Sequence, residues 1–252
     1  MAEEWGMCNT FYDWHDFELS PYGLIKKRFL DFVDRYPDIG EPVTPIAVVL
    51  PKSMKVLENV RCDTLSYLTF PAEDSLGEVV RKARRGIREL FCSSGPMRGS
   101  ETTSLLNCTI SDALDIVTED VLDMNKYSYL VDLTSNAEFA QLNSEKICKI
   151  DDVPKILDSI LPCSVTGNAM KQFTKNSDNK YYVLLTNNSG VIRTVEHGDE
   201  FLSDATETIS LKVMNNRIIE RIEGSSLSID EHGIYHTDIP AGGYFFGVIY
   251  CN

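Results

Sequence analysis

The run IAVVLP, Ile46 to Pro51, constrains the fold more than any other stretch of this chain. It is continuously apolar and bounded by Pro45 and Pro51. A strand with no polar alternation has both faces buried, the condition of strands in parallel sheets that helices cover. LDIVT (Leu114 to Thr118) and SYLVDLT (Ser128 to Thr134) repeat the pattern, and KICKI (Lys146 to Ile150) supplies a fourth strand. Helical patterns lie between and after them: about Leu76 to Phe91, EDVLDMNKY (Glu119 to Tyr127) and DDVPKILDSIL (Asp151 to Leu161). Strands alternating with helices predict an α/β domain with a largely parallel, Rossmann-like sheet over residues 43–161.

The pattern changes after residue 161. YYVLLTNN (Tyr181 to Asn188), TISLKVM (Thr208 to Met214), RIIERIE (Arg217 to Glu223), SSLSID (Ser225 to Asp230), GIYHTDI (Gly233 to Ile239) and GYFFGVIY (Gly243 to Tyr250) are short strands separated by turn residues. Their spacing predicts an antiparallel β-sandwich over residues 162–252. NNRI and EHGI read as hairpin turns, because Asn and Gly tolerate positive φ.

Before the α/β domain, NTFYDW (Asn9 to Trp14) is a short aromatic strand and SPYG (Ser20 to Gly23) a turn. LIKKRFLDFVDRY (Leu24 to Tyr36) is an amphipathic helix whose apolar residues Leu24, Ile25, Phe29, Phe32, Val33 and Tyr36 fall at helical spacing. PDIGEPVTP (Pro37 to Pro45) is a linker, so residues 1–40 form a separate strand-helix piece.

The formal net charge of −14 opposes binding to nucleic acid or anionic membranes, which require clustered Lys and Arg. The one basic cluster, RKARRGIR (Arg81 to Arg88), has the spacing of a solvated helix face. Seven cysteines without a CxxC pair read as reduced thiols and point to the cytoplasm. No secretory leader or spanning apolar run is present in the sequence. On that reading the sequons at Asn107 and Asn187 are coincidental.

NTFYDW, LSPYGLIKKRFLDFVDRY, TPIAVVLP and IPAGGYFFGVIY, in that order, resemble the C-terminal part of clan A glycoside hydrolases built like the family 42 β-galactosidases. The resemblance implies the last strand and helix of a (β/α)8 barrel, then a glutamine-amidotransferase-like domain and a closing β domain. It implies a carbohydrate partner when the barrel is complete, and a homo-oligomer. The other barrel strands, which carry the family's two catalytic glutamates, have no counterpart in this sequence. Retaining glycosidases need two carboxyl groups about 5–5.5 Å apart across the scissile bond. Glu3, Glu4, Asp13 and Asp16 share one short segment and cannot oppose each other across a sugar. The expected role is therefore accessory and oligomerising, without catalytic residues, cofactor or metal.

Within the resemblance, Trp14 is the candidate sugar platform, with Tyr12 and Asp13 on the same rim; a core position between helix and sheet is the competing reading of Trp14. Cys92, in LFCSSGP, lacks the flanking glycines and the downstream His-x-Glu of an amidotransferase nucleophile. SSGPMRGSE (Ser93 to Glu101) matches neither phosphate-loop spacing and reads as a loop. His197 and His232 precede glycines in acidic turns, and Asp199 with Glu200 matches no calcium-loop spacing. The alternative function is a non-catalytic carbohydrate-binding or interaction module that uses Tyr235, Tyr244 or Phe246.

Overall fold

A computed structural model describes residues 21–52, 78–91, 102–105, 113–194 and 198–251. They belong to two compact units, 1–39 and 40–252. In the first, helix α1 (Pro21–Arg35) is stapled at its end by the Phe32 and Tyr36 rings, whose centroids lie 5.0 Å apart. Its apolar residues Leu24, Phe29, Leu30 and Val33 stay largely exposed.

The second unit has mixed α/β content and consists mostly of strands. It opens with β1 (Glu41–Pro42) and β2 (Ile46–Leu50), followed by α2 (Glu78–Phe91), β3 (Thr102–Leu105), β4 (Leu114–Thr118) and β5 (Tyr129–Asp132). Every residue of β2 is buried, as its unbroken apolar run requires. β2 lies between β4 and β5, parallel to both, in a three-stranded sheet. Helix α2 contributes Ala83 and Leu90 to the core and turns Arg81, Lys82 and Arg85 outward, so these three members of the basic cluster lie on a solvated face.

Two expectations fail here. Glu119 to Tyr127 forms turns rather than a helix: the Val121 N–H donates to the Thr118 carbonyl, and the Asn125 N–H to Asp123 Oδ1. Such local Asp bonds offer the backbone an alternative to the helical ladder. KICKI gives only an isolated parallel bridge between Ile147 and Leu130. Helix α3 (Ala137–Leu142) occupies the preceding polar stretch, and a 3₁₀ turn at Ile150–Asp152 leads into α4 (Val153–Ile160).

The rest is antiparallel: β6 (Cys163–Thr166), β7 (Met170–Lys175), β8 (Tyr181–Thr186), β9 (Val191–Thr194), β10 (Gly198–Phe201), β11 (Glu207–Val213), β12 (Arg217–Gly224), β13 (Ser228–Ile229), β14 (Tyr235–Ile239) and β15 (Tyr244–Cys251). One sheet has the order β1-β7-β8-β15-β12, another β13-β14-β11-β6, and a small third β10-β9-β3. Phe173, Val183, Leu185, Phe245 and Ile249 of the first share one buried cluster with Ile209, Leu211 and Ile239 of the second. The same cluster continues through Cys163, Leu161 and Leu157 to Leu114, Val48 and Ile46, so parallel and antiparallel sheets have a common core.

The EHGI turn closes the β13–β14 hairpin, with the Asp230 N–H donating to the Ile234 carbonyl. Asn215 and Asn216 do take positive φ, 57° and 55°, yet NNRI closes no hairpin. It hands the chain from β11 in one sheet to β12 in the other. The linker is also partly structural. Glu41 and Pro42 pair with Lys175 and Thr174, and Gly40 (φ 80°) passes close against the Lys175 carbonyl.

Candidate functional site

Open parallel sheets bind ligands beyond the carboxyl ends of their strands, where the strand order reverses. Here the chain runs from β2 to β4 on one side and then to β5 on the other, which places that point between β2 and β5. The residues there are Pro51 and Lys52 after β2, Glu119 and Asp120 after β4, and Leu133 to Asn136 after β5.

Glu119 ties the three loops together. Its Oε1 accepts from the Lys52 N–H (3.1 Å) and its Oε2 from Asn136 Nδ2 (3.0 Å). Asp132 Oδ1 accepts from both the backbone N–H (2.8 Å) and the hydroxyl (2.6 Å) of Thr134. The Thr134 Oγ1 accepts in turn from the Asn136 N–H (3.0 Å), and Asn136 Oδ1 caps α3 through the N–H groups of Glu138 and Phe139. Asp120 is held below its ordinary value first by the Thr118 hydroxyl and its own N–H, with Lys52 assisting.

Among the described residues this rim bears three carboxylates against one lysine, a balance that disfavours phosphate. Both Glu119 oxygens and Asp132 Oδ1 are engaged by the protein's own loops. Sequence reasoning overlooked Glu119, Thr134 and Asn136. The signal for Thr134 and Asn136 was present in DLTSNAEF, where β5 ends four residues before an Asn N-cap with an acid in the first helical turn.

At the opposite end of the sheet, Asp115 Oδ2 accepts from Lys126 Nζ (2.7 Å), the Tyr127 hydroxyl (2.9 Å) and the Thr44 hydroxyl (2.9 Å). Burial raises the Asp115 carboxyl, but these three donors outweigh it and hold the group below 3.8. The cluster joins the loop before β2 to β4 and the chain entering β5. Its carboxylate gathers three donors on one oxygen, which fits a structural clamp.

Trp14, Tyr12 and Asp13 lie outside the described residues, as do Glu3, Glu4, Asp16, Cys92, the 93–101 loop and His197. His232 is exposed in the β13–β14 turn, 3.6 Å from Glu231. Among the described residues no group of three or more His, Cys, Asp or Glu side chains could hold a metal. Asn187 is fully buried, its Nδ2 donating to the Ala205 and Ile239 carbonyls (2.9 Å each). A glycan therefore cannot be attached there in the folded protein. Comparison with protein-family models, curated proteins and solved structures finds no match.

Proposed function

We propose that this chain is an accessory and assembly region of a β-galactosidase-like glycoside hydrolase, with a Rossmann-like layer followed by an antiparallel sandwich. In this reading residues 40–252 shape and hold together a larger enzyme and do not cleave the glycosidic bond. The observation that carries it is the rim at the switch point, where Glu119 and Asp132 serve as loop ties. The continuous core from Ile46 to Ile249 supports a rigid body suited to assembly. Carbohydrate and further copies of the chain are its proposed partners, and the cytoplasm its proposed compartment. The carbohydrate-binding alternative receives less support, because Phe246 is 3% exposed and Tyr235 half-buried, which leaves Tyr244 as the most accessible of its three aromatic residues.

Two measurements on the purified chain test the proposal. Nitrophenyl galactosides and glucosides should be hydrolysed no faster than in buffer, and sedimentation velocity should show a species larger than one chain. Turnover that disappears in Glu119→Gln or Asp132→Asn would overturn the accessory role. A monomer at all concentrations would overturn the assembly role.

A further inference from the structure

The outer face of the β13-β14-β11-β6 sheet carries an arrangement that the accessory reading leaves unused. Ser210 sits in the middle of β11, paired in register with His236 on one side and Thr166 on the other. Its neighbours Ile209 and Leu211 are fully buried, so Ser210 projects from the opposite face of the sheet. Its Oγ lies 3.0 Å from His236 Nδ1. His236 Nε2 lies 3.1 Å from Asp230 Oδ2.

Asp230 is fixed by the hairpin turn. Its Oδ1 accepts from the N–H groups of His232 and Ile234, at 2.9 Å each, which leaves Oδ2 for the imidazole. The contact with His236, and next the Ile234 N–H, hold this carboxyl below 3.8, so it is ionised at neutral pH. An ionised carboxylate only accepts, so Nε2 must carry the ring proton. Neutral imidazole then offers a lone pair at Nδ1, and the Ser210 hydroxyl donates to it. A carboxylate that fixes the tautomer and an imidazole that receives a hydroxyl proton are the connections of a nucleophilic relay, here with the two ring nitrogens exchanged. Strand register and the Asp230 turn hold all three groups, and His236 and Asp230 are 35% and 32% exposed, within reach of small reagents.

We propose that Ser210, His236 and Asp230 form such a relay, with Ser210 as acyl acceptor for small carboxylic esters. Ser210 Oγ attacks the ester carbonyl carbon as its proton passes to His236 Nδ1. The carbon–oxygen bond to the leaving group breaks, and the alcohol departs with that proton. Water then attacks the acyl-serine, giving its proton to Nδ1, and the acid is released as the proton returns to Ser210. β11 is paired on both sides, so its backbone N–H groups are committed to the sheet and are not convergent on an oxyanion. Acylation therefore exceeds that of an ordinary serine only by the general-base contribution, and the acyl-serine accumulates.

The test is 4-nitrophenyl acetate on the full chain, with mass spectrometry of the Ser210 peptide. Ser210 should be acetylated about 10²-fold faster in the folded chain than in urea. Ser210→Ala should remove the label. In Asp230→Asn the amide oxygen still accepts from His232 and Ile234, but its NH₂ faces Nε2 and forces the proton onto Nδ1. The rate should then fall at least tenfold while the urea midpoint holds. Should that variant lose its fold, His236→Ala, which leaves Ser210 in its strand, gives the same comparison. No acetyl group on Ser210 of the folded chain, or an undiminished rate in the folded aspartate or histidine variant, overturns the relay.

Discussion

Replacing Gly40 by alanine tests whether the linker truly locks into the antiparallel sheet. Gly40 has φ +80°, and a Cβ there would stand 2.0 Å from the Lys175 carbonyl oxygen, 2.2 Å from its carbon and 2.4 Å from the Asn176 nitrogen. All three are backbone atoms of β7 or the residue after it, and none can rotate aside. A side chain in this left-handed conformation costs about 1 kcal/mol. Relieving the overlap requires β1 to withdraw, which breaks the 2.8 Å bond from the Val43 N–H to the Phe173 carbonyl and loosens the pairing of Glu41 and Pro42. Each lost bond costs about 1 kcal/mol, so the total is about 3 kcal/mol. Gly233 provides the control: its φ is +77°, but a Cβ there meets nothing within 4 Å. Gly233→Ala should therefore cost only the conformational share, about 1 kcal/mol. Urea unfolding of both variants, followed by tryptophan-independent far-UV circular dichroism, measures the difference. Equal destabilisation would refute the reasoning, because it would mean that β1 does not press on β7.

Lys171 is 7% exposed and burial depresses its pKa below 10.5, with Asp158 and Cys163 drawing it back up. As pH rises towards 10.5 the folded chain releases this proton before the unfolded chain does, so the wild type gains stability. Lys171→Met should be about 1 kcal/mol more stable at pH 7, with the advantage shrinking by pH 10; a destabilised variant at pH 7 would contradict this. Asp115, whose pKa is depressed, contributes stability above 3.8 that is lost as pH falls through its folded value. Asp115→Ala should cost about 2–3 kcal/mol at pH 7 and progressively less in acid, and a cost independent of pH would exclude the clamp. Burial pushes the Cys163 thiol up to about 12, so iodoacetamide at pH 8 should leave it unmodified until the chain unfolds. Native labelling of Cys163 would show that the core there is open.

Periodicity located what local physics decides. The apolar runs at 46–50 and 114–118 form β2 and β4, paired in parallel; β2 is buried throughout, whereas β4 leaves Ile116 exposed. The six apolar runs after residue 180 each yield a strand. β6 and β7 were less legible: SVTGN and MKQFTKN mix polar and apolar residues, and Lys171 occupies a position that the fold buries. The helix expected at Glu119 to Tyr127 has a plausible apolar spacing, but Asp123 and Asn125 satisfy the backbone locally. NNRI declares its turn geometry but not its destination, because which sheet receives β12 depends on β15, some thirty residues later. The carboxylate ties at Glu119 and Asp115 were invisible for a similar reason, since their donors come from loops distant in sequence.

β15 lies inside its sheet, between β8 and β12, although it is synthesised after every other strand of that sheet. Until residues 244–251 leave the ribosome, β8 has no neighbour on that side and β12 no sheet to join. β1 must also wait for β7, and β2 for β4 and β5. At about 5–20 residues per second, the apolar IAVVL segment spends several seconds exposed before its partners exist. Folding of this unit is therefore completed only once β15 has emerged, by insertion of that strand into the middle of a waiting sheet. During that interval the nascent chain offers two open edges and an uncovered core, a ready substrate for a holding chaperone.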